Sequence, residues 1–149
     1  HQLRCIMTKE QWKAVEQKVL LYPYTIAKLQ ADGHVLSLSM ERNKMQLVIA
    51  VYVDGKIDFH WLQEDCEIRR KFFQLRKRSL LTQKDRERLK REKKSIREEI
   101  QEQATYYTYS PYWTSFTALR RHLEKNCESI TPYEEGEHAD TNPDGGSVI

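Results

Sequence analysis

Arg86, Lys90, Lys93 and Arg97 stand at i, i+4, i+7 and i+11, the spacing that sets side chains on one face of an α-helix. Lys84, Arg88, Arg91 and Lys94 lie beside them. To a phosphate backbone such a row is a track of cations, whereas to bulk water it is only a solvated face. The wider segment from Arg69 to Arg97 carries fourteen basic residues against three acidic ones, Asp85, Glu87 and Glu92, a balance of +11 in 29 residues. Glu87 and Arg91 form the clear i, i+4 pair, and Glu98, Glu99 and Glu102 follow in the C-terminal turns, where they oppose the helix dipole. A helix so charged is not tuned for isolated stability. These eight bases are the candidate contacts for nucleic acid or an acidic protein partner.

A second group is aromatic. Tyr107, Tyr109, Tyr112 and Trp113, within the run Tyr106-Tyr107-Thr108-Tyr109-Ser110-Pro111-Tyr112-Trp113, are candidates for stacking bases beside a basic surface. The same residues suit the rim of a sheet, where a ring packs and its hydroxyl stays wet. A third group, Asp58, His60, Glu64, Asp65 and Glu67, is the densest set of metal-ligand types. A hydrolytic centre needs carboxylates converging on one oxygen-lined pocket, and Glu64 falls beyond the strand expected to carry Asp58 and His60. A metal-dependent nuclease is therefore the most distant alternative, and no catalytic residue, metal ligand or cofactor is assigned. The sequence holds no Gly-rich phosphate loop and no GxSxG elbow. Cys5, Cys66 and Cys127 include no CxxC pair and read as reduced thiols, while His34 and His122 read as a turn residue and a helix-surface residue.

One domain of α+β class is expected to position these groups. Residues 1–6 precede Met7 and read as a leader, non-native or disordered; residues 7–127 form the domain. Thr8-Lys9-Glu10-Gln11 is a capping box that opens an amphipathic helix over 8–21, with Trp12 in the core, stopped by Tyr22-Pro23. Extended runs over 25–31, 34–41, 44–53 and 56–61, parted at Asp32-Gly33, near Asn43 and at Asp54-Gly55, predict a four-stranded antiparallel meander with helices on one side. Residues 62–103 read as mostly helical. After a break at Ser79-Leu80-Leu81-Thr82, residues 83–103 are expected to form one 21-residue helix, N-capped by Thr82, with a narrow stripe of Leu89, Ile96 and Ile100. Thr114 or Ser115 then caps a last helix carrying Phe116, Leu119 and Leu123, and residues 128–149 form a disordered acidic tail.

Net charge is +3, from 25 Lys and Arg against 22 Asp and Glu, with 32% of residues charged. The longest apolar run, Leu47 to Val53, is far short of the ~20 residues of a membrane span, and no signal peptide opens the chain, so a cytoplasmic protein without a membrane partner is expected. Two stretches, Cys66-Glu67-Ile68-Arg69-Arg70-Lys71-Phe72 with Ser79-Leu80-Leu81-Thr82, and Tyr106-Tyr107 with Ser110-Pro111-Tyr112-Trp113-Thr114-Ser115-Phe116, resemble a family of small uncharacterised proteins of tailed phages and prophages. The resemblance spans roughly residues 22–126 and carries no active-site residue. It implies a bacterial host cell, where small charged phage proteins bind nucleic acid or obstruct host-defence nucleoproteins. The expected function is non-enzymatic binding of nucleic acid or a nucleoprotein complex through the basic helical segment. The rival is a protein–protein module, a homodimer or a complex with an acidic host protein, using the Leu89, Ile96 and Ile100 stripe.

Overall fold

In the computed structural model, which describes residues 4–23 and 25–133, the capping box opens α1 (Lys9–Val19): the Thr8 hydroxyl accepts the Gln11 N–H, and the Gln11 side-chain oxygen accepts the Thr8 N–H. Two orphan donors of the first turn are thereby satisfied. Trp12 and Val19 point inward and are fully buried. The chain then lays down β1 (Ile26–Ala31), β2 (His34–Asn43) and β3 (Gln46–Val53), antiparallel neighbours in sequence order. Asp32-Gly33 turns the first hairpin at φ +49° and +86°, the left-handed pair that a two-residue primed turn requires. Along each strand alternate residues face inward, among them Ala27, Leu29, Leu36, Leu38, Ile49, Val51 and Val53.

The fourth strand of the expected meander does not form. Asp54-Gly55 does make its tight turn, with Val53 and Lys56 exchanging backbone hydrogen bonds. Beyond it, however, Asp58 accepts the His60 N–H and starts a single helical turn, α2 (His60–Gln63), which leaves the sheet. The sheet still has five strands, because its edges are taken by β6 (Tyr112–Trp113) against β3 and β7 (Ile130–Pro132) against β1, in the order β6-β3-β2-β1-β7. The expected tail boundary at 128 therefore falls inside the fold. Ile130 is fully buried, and the Asp32 carboxylate accepts the N–H groups of Glu128 and Ser129; residues 134–149 lie outside the described residues. The expected leader is likewise partly folded. Cys5 bridges to Ser129 and Ile6 packs on the core, while residues 1–3 lie outside the described residues.

Residues 62–113 depart further from expectation. α3 (Glu67–Phe72) is followed not by more helix but by β4 (Gln74–Ser79), which pairs antiparallel with β5 (Thr105–Ser110) as a separate two-stranded ribbon. Between them the expected 21-residue helix is broken into α4 (Gln83–Leu89) and α5 (Lys94–Ala104), with Lys90 to Glu92 turning and Lys93 extended. Four bases fall within residues 90–94, so a continuous helix there would stack like charges. The break also lets Leu89, 7% exposed, line one small cleft with Leu81 and Ile100 instead of facing water. Thr82 caps α4 as expected, reciprocally with Asp85. Residues 74–110 thus form an arm, a ribbon ending in two short helices. Ser115 caps α6 (Phe116–Asn126), whose Leu119 and Leu123 join Trp12, Phe72 and Phe73 over the inner face of the sheet.

Candidate nucleic-acid interface

The register of the ribbon decides which side chains share a face. On one face Gln74, Arg76 and Arg78 of β4 stand opposite Ser110, Thr108 and Tyr106 of β5; on the other, Leu75, Lys77 and Ser79 stand opposite Tyr109, Tyr107 and Thr105. Two cation–tyrosine cross-strand pairs result, Arg78 with Tyr106 and Lys77 with Tyr107. At Ser110-Pro111 the strand passes from the ribbon into the main sheet. The Ser110 hydroxyl accepts the Tyr112 N–H at 3.1 Å, and the Pro111 carbonyl accepts the Val51 N–H at 3.0 Å. Trp113 enters the core, 3% exposed, and its indole N–H donates to the Phe72 carbonyl at 3.2 Å.

Of the expected stacking residues, only Tyr107, 59% exposed, offers an open ring; Tyr106, 43% exposed, offers another on the opposite face of the ribbon. Trp113 is buried and cannot stack on a base. Tyr109 packs against the core under the Arg69 guanidinium, 4.4 Å from its ring centroid. Tyr112 is half-buried beside a cleft. The expected basic row is not one helical face: Lys84, Arg86 and Arg88 belong to α4, Lys90 and Arg91 to the turn, Lys93 to the cap of α5, and Lys94 and Arg97 to α5. All eight are nevertheless on the arm, and all except half-buried Arg97 are exposed. Arg76, Lys77 and Arg78 complete the set and were missed, because residues 62–103 read as mostly helical and no strand was expected there. The signal that pointed to them was the Tyr- and Thr-rich run of β5, which favours a strand and so requires a partner.

Pairing separates two classes of base. Arg70 pairs with Asp65 at 2.7 Å, Arg69 lies 3.6 Å from the same carboxylate, and the Lys71 ammonium reaches Asp32 at 2.6 Å and Glu67 at 2.8 Å. These three are structural. By contrast, residues 74–110 hold eleven bases against six acids, and among the described residues none of those eleven is in an ion pair; the expected Glu87–Arg91 pair does not form, because α4 ends at Leu89 and leaves Arg91 in the turn. The same pairing occupies three carboxylates of the ligand-type set Asp58, His60, Glu64, Asp65 and Glu67. Asp58 is held below the usual carboxylate range by hydrogen bonds from the His60 backbone and ring, and Asp65 and Glu67 are committed to Arg70 and Lys71. Among the described residues no three His, Cys, Asp or Glu side chains stand together as metal ligands. The cysteines are free, and burial pushes the Cys127 thiol up to about 12, where it is a poor nucleophile. Among the described residues no helix is long and apolar enough to cross a membrane. Comparison with protein families, with curated proteins and with solved structures finds no match for this chain.

Proposed function

We propose that the arm of residues 74–110 binds nucleic acid, free or within a nucleoprotein complex, without catalysing a reaction on it. One observation carries this reading: eleven cations gather on one substructure and none is neutralised by a neighbouring carboxylate among the described residues. Charges left unpaired in this way gain most from releasing the counterions of a phosphate backbone. The ribbon adds Tyr106 and Tyr107 next to Arg78 and Lys77, a pairing of ring and cation that suits stacking on an unpaired base. The resemblance to tailed-phage proteins fits the same reading, with a host-defence nucleoprotein as the partner it implies. The rival helix interface keeps Ile96 and Ile100, 39% and 36% exposed, but its first residue, Leu89, is spent inside the arm.

Fluorescence polarisation with single- and double-stranded oligonucleotides over a salt series tests this reading. Contact with about five phosphates gives a slope of log K against log salt of roughly −4.5 on duplex DNA. Replacing Lys84, Arg86, Lys90 and Lys93 with Gln should flatten the slope at unchanged thermal midpoint. No binding at low salt, or binding indifferent to salt, overturns the reading.

A further inference from the structure

We propose that the cleft between the β2–β3 turn and the Arg76 face of the ribbon is a binding site for a phosphate ester. The proposal rests on the nucleic-acid reading of the arm and names the place where one phosphate of the strand is gripped. The cleft encloses about 410 Å³, and its lining includes Asn43, Lys44, Arg76, Arg78, Ser110 and Tyr112 and no carboxylate. Arg76 and Arg78 are two residues apart on one strand, so both side chains leave the same face. Lys44 closes the site from the opposite hairpin, in a turn where it holds φ at +61°. None of the three cations has an ion-pair partner among the described residues. The acid nearest by register, Glu41, sits opposite Val48 and accepts the Tyr52 hydroxyl at 2.5 Å.

The sharpest sign is at Arg76. Its Nε is shut off from water and has no hydrogen-bond partner among the described residues, although a desolvated guanidinium N–H left unsatisfied is costly. An oxyanion in the cleft meets the Arg76 side chain that lines it, and the planar guanidinium fork grips two phosphate oxygens at once, which an ammonium cannot do. The volume exceeds the needs of a bare phosphate and lies in the range of sites for small organic ligands. With the Tyr112 ring on its wall, the cleft suits a phosphate carrying an organic group. Two sources share that chemistry, a phosphodiester of a bound strand and a free phosphate ester.

The experiment follows the Arg76 side-chain Nε–H resonance of the full chain by NMR, adding inorganic phosphate, thymidine monophosphate and a short oligothymidine in turn. The resonance is expected to shift with each probe, and the two esters are expected to bind more tightly than inorganic phosphate. Arg78→Gln combined with Lys44→Gln, both at exposed positions, should weaken the esters about 10-fold or more while the fold persists, a loss of ~1.4 kcal/mol. Arg76→Lys should keep charge yet lose most of the same affinity. If the Arg76 resonance stays still, or the double variant binds oligothymidine as tightly as the unaltered chain, the cleft proposal fails while the arm reading stands. If thymidine monophosphate binds in the cleft but oligothymidine binds nowhere at any salt, the cleft stands as a site for free phosphate esters and the nucleic-acid reading fails.

Discussion

Asp32 serves two purposes. Its backbone makes the left-handed first position of the β1–β2 turn, and its carboxylate accepts the Lys71 ammonium and the N–H groups of Glu128 and Ser129. Burial alone would raise its pKa, but Lys71 and the two backbone donors outweigh burial and hold it below 3.8. His122 is the opposite case. Burial keeps its imidazole neutral and its pKa below 6.5, with Nε2 donating to the Arg70 carbonyl at 2.9 Å and Nδ1 facing the Asn126 amide. A base with a depressed folded pKa binds more protons when unfolded, so stability declines as pH falls below 6.5. An acid with a depressed folded pKa loses its contribution as pH falls below 3.8. The unfolding midpoint should therefore drop in two stages on acidification, the upper flattened by His122→Gln and the lower by Asp32→Asn. Asp32→Asn should also cost ~1 to 3 kcal/mol at neutral pH, through the charged hydrogen bonds it weakens. A single acid transition unmoved by both changes would refute this assignment. Neither role was legible in the sequence, where Asp32 showed only its Asp-Gly step and His122 only its helix; the partners of Asp32 lie up to 97 residues away.

Local devices were read correctly. Both capping boxes join residues three apart and both Asp-Gly turns join neighbours, so the chemistry that makes them is present in the sequence itself. The ribbon was not legible for the complementary reason. Gln74–Ser79 shows no alternation, and its partner begins at Thr105, beyond two intervening helices. The helix break turned on whether Leu89 could find cover, and Leu81 and Ile100 supply it only in three dimensions. Leu89→Ala should thus loosen the tip by ~2 kcal/mol, the low end for a buried leucine. Hydrogen exchange checks it: amides of α4 and α5 should lose protection while those of β1 to β3 keep theirs. Of the aromatic residues, Trp113→Ala should cost ~3 to 5 kcal/mol of stability. Tyr107→Ala, at an exposed site, should leave the midpoint nearly in place and weaken oligonucleotide binding, separating core ring from surface ring in one pair of titrations.

At the scale of the molecule, the charge asymmetry was plain in the sequence, but which bases are free was not. The +11 segment divides into three neutralised residues, Arg69 to Lys71, and an arm of bases without an ion pair among the described residues. Residues 134–149 carry five acidic residues and no Lys or Arg. Ending the chain after Tyr133 raises the net charge from +3 to +8 and leaves β7 whole, so low-salt affinity for nucleic acid should rise several-fold, the gain shrinking as salt screens it. Ending it after Cys127 instead removes Ile130 and the backbone partners of Asp32, and calorimetry should show a large drop in midpoint. Equal midpoints for the two truncations would mean that β7 contributes nothing to the cooperative unit.

Cys5 and Ser129 lie side by side at the sheet edge, with the Cys5 N–H on the Glu128 carbonyl and the Ile130 N–H on the Cys5 carbonyl. The stretch from Cys5 to Ser129 thus comes back to where it starts. A short linker from Tyr133 to Arg4, with the ring reopened between Arg91 and Glu92, would permute the chain circularly without disturbing a strand pairing. In that permutant each new end carries half the arm, and β4 meets β5 only after the sheet has assembled between them. A fluorophore pair placed on the two ends would then report completion of the fold from the far side of the molecule.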